Sequence, residues 1–169
     1  MLFRSRFVVG AAMPQTRTRT AALLEALGSK DVTLEYADEV RAPMWTKNIS
    51  VIGNFAYCVL TGGTIAQVHG DPPLHRTLID LNTETDSIAK AHGFMDIGFD
   101  REKALKNPSP SPHKPSMLQD LERGRSMEIA TTFLICQDLA RQAGLKTPTL
   151  DVIAPLCAAR ARFAGLWTP

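Results

Sequence analysis

APMWTKNISVIGNFAYCVL, residues 42–60, decides the fold class, because its apolar side chains recur at helical spacing on more than one face. Two apolar stripes cover most of the helix circumference: Trp45, Ile49, Ile52, Ala56 and Val59, and Met44, Val51, Phe55 and Cys58. A helix that is apolar on most sides is buried inside a domain. The stretch therefore predicts a central helix with other helices packed around it.

Helical signals continue on the C-terminal side of this stretch. Asp71 before Pro72 predicts a helix start, and an apolar face then persists until Gly93 ends the helix. A second long helix is predicted from Ile129 to Ala143, and a last one from Pro148 to about Arg162. Between the helix that ends at Gly93 and the helix that begins at Ile129, residues 107–115 contain four prolines and predict a stiff, non-helical loop.

The N-terminal part has a different pattern. Residues 6–10, RFVVG, resemble one isolated strand, and a strand needs a sheet to join. Residues 20–27 predict a short helix closed by Gly28, and residues 32–36 alternate as an edge strand does. We predict a mainly α domain preceded by a short strand.

Composition and charge exclude several classes of protein. The chain has 169 residues, of which 44% are hydrophobic and 21% charged, so it can form one globular domain. A net charge of +2 gives no electrostatic basis for nucleic-acid binding. No apolar run reaches the roughly 18 residues of a membrane span, and a cytoplasmic location is the default expectation. Cys58, Cys136 and Cys157 lie in apolar surroundings and are predicted to be buried thiols.

One polar stripe interrupts the central helix. Lys47, Ser50, Asn54, Tyr57 and Thr61 fall on one side of it, which must face water or a ligand. Lys47 has two interpretations: a lysine extending to the surface near a helix start, or a proton donor to a substrate oxygen. Helical spacing alone does not choose between them.

The segment after the proline-rich loop also has two interpretations. Ser116 and Gln119 have the spacing of a capping box, and Glu128 is placed in the first turn of the next helix, where the helix dipole favours an acid. Alternatively, a serine hydroxyl presented by a stiff loop at a helix start suits a carboxylate ligand. Both remain open from the pattern.

Two other kinds of site are disfavoured. His69, Asp71 and His75 have the residue types of a metal site, but Asp71 is better used as a helix cap. The cysteines have no histidine at a spacing that indicates a nucleophile and base.

Four segments together resemble the C-terminal domain of ketopantoate reductase. They are Trp45-Thr46-Lys47, Ser116-Met117-Leu118-Gln119-Asp120, Gly124-Arg125-Ser126-Met127-Glu128-Ile129, and Gly144 followed four residues later by Pro148. The resemblance implies a multi-helix domain of the 6-phosphogluconate-dehydrogenase C-terminal-like type over residues 13–169. Residues 1–12 resemble the last strand and linker of the Rossmann domain that precedes it in the family.

The resemblance implies an activity and roles for matched residues. Family members reduce 2-dehydropantoate to pantoate with NADPH, on the route to pantothenate and coenzyme A. Lys47 resembles the lysine that donates a proton to the substrate carbonyl oxygen, Ser116 the serine that binds the substrate carboxylate, and Glu128 an acid that reaches the nicotinamide ribose and the lysine region. Asp120 matches a further acid near the site, with a structural role.

The substrate-binding positions depart from the family pattern. Val51 and Phe55 occupy the places of two substrate asparagines, and Ala130 replaces an acid. Asn54 lies one position before Phe55 and Asn48 lies three positions before Val51, and Asn54 returns to nearly the same helical face as Lys47. We therefore expect Asn48 and Asn54 to take over substrate contacts and the substrate to be a small 2-keto acid.

The sequence contains no Gly-x-Gly-x-x-Gly motif, so NADP(H) is expected to bind only together with a Rossmann domain. Three hypotheses follow. The chain is the substrate side of a ketopantoate-reductase-like oxidoreductase completed by a Rossmann-domain partner, and such an enzyme is expected to be a homodimer. Alternatively it is a non-catalytic helical dimerisation module, or a small carboxylate-binding domain.

Overall fold

The computed structural model of the chain describes residues 5–10, 14–28 and 32–169, which form parts of two compact units, Met1–Met44 and Trp45–Pro169. The predicted division assigns residues 1–12 to the end of a Rossmann domain and residues 13–169 to the helical domain, and it stays a prediction. The prediction of a mainly helical chain with a short N-terminal strand is confirmed.

The first unit contains a small parallel sheet. Strand β1 (Ser5–Val9) pairs with β2 (Val32–Tyr36), with Ser5 opposite Val32 and Val9 opposite Tyr36. Helix α1 (Arg17–Leu27) follows a 3-10 turn and makes the crossover that parallel strands require. The expectation that β1 is an isolated strand is therefore wrong, because the alternating segment at residues 32–36 supplies its partner.

The remaining elements are helical. Their bounds are α2 (Arg41–Thr61), α3 (Ile65–Gly70), α4 (Pro72–Ala91), α5 (Arg101–Lys106), α6 (Ser116–Glu122), α7 (Ile135–Gln142) and α8 (Pro148–Phe163). A π-helical turn, Ala130–Leu134, leads directly into α7. Helix α2 begins in the first unit and continues into the second. Within the described residues, no helix is long and apolar enough to cross a bilayer.

Helix α2 is central to the core of the second unit, as predicted. Ile49, Ile52, Ala56 and Val59 are almost completely buried, and the last three belong to one hydrophobic cluster with apolar side chains of α4, α7 and α8. All three cysteines are buried free thiols, which confirms that prediction. The apolar stripe of α2 therefore fixes the orientation of the polar stripe beside it.

Helix ends follow local chemistry at two features of the sequence pattern, the acid at residue 71 and the glycine–proline pair. The Asp71 carboxylate accepts a hydrogen bond from the Leu74 N–H at 3.1 Å, as expected of an N-cap. Gly144 has a φ of +66° and closes the turn before α8. The first N–H groups of α8 donate to the Glu84 carboxylate of α4, from Thr149 at 2.9 Å and from Leu150 at 2.8 Å.

Two local predictions are wrong. Pro115, with an extended ψ of 155°, holds the cap position of α6, so Ser116 is the first helical residue and makes no capping box. Gln119 instead donates its side-chain amide to the Lys114 carbonyl at 2.7 Å. Glu128 precedes the helical residues, which begin at Ile129, rather than lying in their first turn.

Two features escaped the pattern altogether. The long helix predicted over residues 129–143 contains the π-helical turn. The sequence pattern does not reveal this turn, because Ile129 and Phe133, four residues apart, stay on one face whether the turn is α or π. Helices α3 and α5 have six residues each, too few to show a periodic face.

Candidate functional site

Lys47 lies in the first half of α2, and its side chain is exposed. The ammonium group makes no hydrogen bond or ion pair with any residue that the structure describes. Its carbonyl oxygen accepts a hydrogen bond from the Ser50 hydroxyl at 2.7 Å. Two residues earlier, Trp45 packs against Phe94, with ring centroids 6.4 Å apart. The ammonium group is therefore free to meet a partner from outside the described residues.

The polar stripe of α2 is only partly a surface. Lys47, Ser50 and Thr61 are exposed and Asn54 is half-buried, but Tyr57 is 6% exposed and belongs to the core. Burial raises the pKa of the Tyr57 phenol, while a hydrogen bond with Thr77 acts in the opposite direction. The expectation that the whole stripe faces water or a ligand is therefore wrong at Tyr57.

A histidine that the sequence did not single out for this role orients Asn54. His69 Nδ1 accepts the Ser109 backbone N–H at 3.0 Å, so its Nε2 must carry the ring proton and donate to Asn54 Oδ1 at 2.9 Å. The Asn54 amide nitrogen donates one hydrogen to the Ser50 carbonyl at 3.3 Å. Its second N–H has no acceptor within the described part of the chain.

The proline-rich loop that contains Ser109 is also attached to α3 by backbone hydrogen bonds. The Ala66 N–H donates to the Ser111 carbonyl at 2.7 Å, and the Ile65 N–H donates to the His113 carbonyl at 3.1 Å. The loop that ends at Ser116 is thus held against the helix that directly follows α2. Together with the His69 bridge, these bonds connect the lysine helix to the serine segment.

The environment of His69 predicts a pH dependence of stability. Burial, and then the charge of neighbouring His75, lower the pKa of His69 from its ordinary 6.5. As the pH falls below about 6.5, the unfolded chain binds a proton at this residue before the folded chain does. The stability that neutral His69 provides is therefore present above pH 6.5 and lost as the pH falls through the folded pKa.

We expect His69→Gln to reduce the loss of stability between pH 7.5 and pH 5, measured by urea unfolding at each pH. Glutamine has a side-chain N–H for Asn54 but does not titrate. His113→Gln is the matched control, because His113 is an exposed histidine of the loop that is bonded to α3. An unchanged pH slope in His69→Gln would show that His69 titrates alike in the folded and unfolded chains.

Asn48 faces a different part of the core. Its amide nitrogen donates to the Cys136 sulfur at 3.3 Å, and the Cys136 thiol in turn donates to the Thr132 carbonyl in the π-helical turn, also at 3.3 Å. Burial raises the pKa of Cys136 to about 11, although the Asn48 hydrogen bond opposes that rise. Asn48 thus joins α2 to the turn that follows Glu128, and its Oδ1 remains for a ligand.

The segment from Ser116 to Glu128 is held by its neighbours while its predicted site residues stay exposed. Asp120 accepts the Arg125 N–H through its carbonyl at 2.8 Å and forms an ion pair with the guanidinium at 3.7 Å, which supports a structural role. The Met127 N–H donates to the Leu166 carbonyl at 3.0 Å. Ser116 and Glu128 are both exposed, and neither side chain bonds to another described residue.

The predicted residues therefore form two groups that the structure connects indirectly. Lys47, Asn48 and Asn54 lie on α2, whereas Ser116, Asp120 and Glu128 lie on α6 and the segment after it. One link runs from Asn54 through His69 to the loop before Ser116. The other joins Asn48 to Cys136, which lies on α7 after Glu128 in the chain. No hydrogen bond or ion pair within the described ranges joins Lys47 itself to Ser116 or Glu128.

A shallow depression lies beside the segment that precedes Glu128. It has a volume of about 410 Å³ and is lined by Gly124, Ser126, Gly165, Leu166, Trp167 and Thr168. The C-terminal tail was not assigned to the site from the sequence, and an isolated tryptophan after the last helix was the available signal. None of the predicted site residues lines this depression.

The histidines considered as metal ligands have other partners. Both ring nitrogens of His69 are hydrogen-bonded, and Asp71 caps α4. The rings of His69 and His75 pack with centroids 4.8 Å apart. Over the described ranges, no group of three His, Cys, Asp or Glu side chains is arranged to hold a metal ion.

Comparison with known sequences identifies relatives of this chain. Residues 39–161 match the family model described as "Ketopantoate reductase PanE/ApbA C terminal". The chain is also 31% identical over 156 residues to a 2-dehydropantoate 2-reductase of Mesorhizobium japonicum, an alignment that covers 89% of this chain and 46% of the relative. The chain thus spans about half the length of that curated relative.

Solved structures show the same fold. A dimeric ketopantoate reductase from Staphylococcus aureus matches with a TM-score of 0.79 and 18% identity, over 95% of this chain and 55% of that one. A 2-dehydropantoate 2-reductase from Geobacter metallireducens matches with a TM-score of 0.79 and 22% identity, over 91% of this chain and 52% of that one. D-mandelate dehydrogenase with NADH and anilino(oxo)acetate matches at 0.79 and 17%, over 95% and 68%.

Proposed function

This chain belongs to the ketopantoate reductase family and matches its C-terminal domain, and we propose that it forms the substrate side of an NADPH-dependent 2-keto acid reductase. The observation that carries the proposal is the bridge from Asn54 through His69 to Ser109. It ties the helix of the proton-donor lysine to the loop that presents the carboxylate-binding serine.

The exposed groups have the chemistry that such a reaction needs. In the proposed arrangement the Ser116 hydroxyl donates to the substrate carboxylate, and the free N–H of Asn54 donates to an oxygen of the substrate. Lys47 supplies a proton to the keto oxygen as a hydride adds to the carbonyl carbon, so that the carbonyl becomes a secondary alcohol. The positive charge of Lys47 also stabilises the negative charge that develops on that oxygen.

The residues of this chain offer hydrogen bonds to a ribose of the cofactor but not to its phosphates. The Glu128 carboxylate is exposed and has no partner in the described part of the chain, so it is available to accept hydrogen bonds from ribose hydroxyl groups. The sequence has no glycine-rich turn for the phosphates. When bound, the nicotinamide supplies the hydride, and we propose that a Rossmann domain outside this sequence holds the rest of the cofactor.

The carboxylate-binding role of Ser116 predicts a change in KM. In the chain completed by the Rossmann domain of the Mesorhizobium relative, we expect Ser116→Ala to raise the KM for 2-dehydropantoate about tenfold, the effect of losing one hydrogen bond to a charged group. Steady-state rates at varied substrate concentration measure it. Ser126→Ala, which changes an exposed serine in the segment after α6, is the control. An unchanged KM in Ser116→Ala would remove this residue from the substrate site.

An exposed apolar stripe on α8 favours assembly as a second function. Val152, Leu156 and Phe163 are 59%, 49% and 81% exposed and share one face of the helix. Surfaces of this kind mark interaction sites. The S. aureus enzyme of the comparison is dimeric. We propose that this stripe pairs two copies of the chain.

This assembly predicts a change in sedimentation. We expect the wild-type chain to sediment as a dimer at micromolar concentration and Phe163→Glu to shift it to a monomer, because a buried carboxylate on each copy opposes contact. Thr168→Glu, an exposed position in the tail, is the control. A wild-type chain that is monomeric at every concentration would contradict the pairing.

A further inference from the structure

His69 of α3 bridges the lysine helix and the loop that leads to Ser116. Its Nε2 lies 2.9 Å from Asn54 Oδ1 on α2, and its Nδ1 lies 3.0 Å from the Ser109 backbone nitrogen. His75 of α4 packs against the ring, with the two ring centroids 4.8 Å apart. Both nitrogens of His69 are therefore occupied, and the ring cannot turn over without breaking a hydrogen bond.

The Ser109 N–H determines the direction of each hydrogen bond along this bridge. A backbone N–H only donates, so His69 Nδ1 is an acceptor and the neutral ring carries its proton on Nε2. The Nε2–H group then donates to Asn54 Oδ1, which leaves the Asn54 amide nitrogen to donate to the Ser50 carbonyl at 3.3 Å. The reversed amide would place N–H against N–H at His69, so the network excludes it.

The fixed amide of Asn54 has one N–H left to offer. An amide nitrogen carries two hydrogens, and the Ser50 carbonyl accepts one of them. The atom that meets the second hydrogen must be an acceptor, such as a carbonyl, carboxylate or hydroxyl oxygen. Without His69, the Asn54 amide is free to turn over and present its own carbonyl oxygen, which repels the oxygens of a keto acid.

Asn54 shares a helical face with Lys47. Seven residues are almost two turns of an α-helix, so the two side chains project from nearly the same side of α2. Hydrogen bonds also connect them along the helix, because Ser50 donates its hydroxyl to the Lys47 carbonyl at 2.7 Å and accepts from Asn54 at its own carbonyl. The donor that His69 fixes therefore lies on the face that carries the proposed proton donor.

We propose that His69 is a positioning residue for substrate binding, which keeps the Asn54 amide turned so that it donates to a substrate oxygen. The inference rests on the proposed function, in which Asn54 contacts the substrate. It adds a residue to that site and names the class of group that Asn54 recognises, an accepting oxygen rather than an ammonium group or an amide N–H. His69 has no free ring nitrogen, so it acts through Asn54 and not on the substrate itself.

Substitutions at residues 54 and 69 test whether one acts through the other. In the chain completed by the Rossmann domain of the Mesorhizobium relative, we expect His69→Leu to raise the KM for 2-dehydropantoate about fivefold, the effect of one hydrogen bond, and to leave kcat within about twofold. Asn54→Ala is expected to raise KM at least as much. Adding His69→Leu to Asn54→Ala should raise KM no further, because the amide to be oriented is gone.

Two further variants separate orientation from loss of structure. His69→Gln keeps a side-chain N–H for Asn54 and an oxygen for the Ser109 N–H, so it should retain the wild-type KM. His113→Leu, which changes an exposed histidine of the proline-rich loop, is the matched control. A variant that only unfolds has a smaller active fraction, which lowers kcat and leaves KM as it was. An unchanged KM in His69→Leu, or KM effects that multiply in the double variant, would overturn the positioning role.

NMR of the chain alone tests the bridge itself. We expect His69 at pH 7.5 to be the neutral tautomer protonated at Nε2, and the Asn54 amide resonances to shift in His69→Leu but not in His113→Leu. A proton on Nδ1 would overturn the inference, because such a ring cannot accept from Ser109. A wild-type enzyme that turns over no 2-keto acid would reject the proposed function and the positioning role with it, whereas an active wild type with an unchanged KM in His69→Leu rejects the positioning role alone.

Discussion

Replacing Lys47 with alanine is expected to lower kcat for 2-keto acid reduction by about 10²–10⁴-fold, the contribution of a positioned proton donor. The assay uses the chain completed by the Rossmann domain of the Mesorhizobium relative, with NADPH and 2-dehydropantoate. The side chain is exposed and makes no contact that stabilises the described fold. We therefore expect the free energy of unfolding to stay within about 0.5 kcal/mol of the wild-type value.

Lys146→Ala is the matched control for this change. Lys146 is also exposed and lies in the turn between α7 and α8, where no reaction is proposed. Its rate should equal that of the wild type. Full activity in Lys47→Ala would reject the lysine as proton donor, and a wild-type enzyme that turns over no 2-keto acid would reject the proposed function as a whole.

Helical periodicity predicts where Lys47 lies but not what it does. Helical periodicity identified α2 and its buried stripe, because burial of an apolar face repeats every 3.6 residues. Periodicity did not show that Tyr57 turns into the core, because a phenol hydroxyl is compatible with either environment. The proposed role of Lys47 rests on the family pattern, and the exposure of its side chain fits both interpretations that the sequence left open.

The long-range contacts could not be predicted in the same way. His69 and Asn54 are fifteen residues apart and lie on different helices, and no local rule pairs them. The pairing depends on the short helix α3 and on the path of the proline-rich loop, which is held by backbone hydrogen bonds. Asn48 and Cys136 meet for a similar reason, because the π-helical turn determines where the Cys136 thiol lies.

Gly53→Ala is expected to lower the free energy of unfolding by about 3 kcal/mol, because a side chain at this position would collide with residues of α4. An added Cβ would lie 2.6 Å from Asn82 Oδ1 and 2.7 Å from Leu78 Cγ. Asn82 also accepts the Gly53 N–H at 3.1 Å, in a buried hydrogen bond that would be strained. Alanine's higher helix propensity, about 1 kcal/mol, is too small to offset both effects.

Urea unfolding of Gly53→Ala, with Gly70→Ala as control, tests this estimate. A Cβ at Gly70 meets no atom within 4 Å, so its stability should change by less than about 1 kcal/mol. Combining Gly53→Ala with Leu78→Ala should cost less than the sum of the single changes, because the smaller side chain makes room for the new methyl group. Strict additivity would show that contact with Leu78 does not cause the loss. The close approach at Gly53 would then act through Asn82, whose amide cannot retreat without losing the Gly53 N–H.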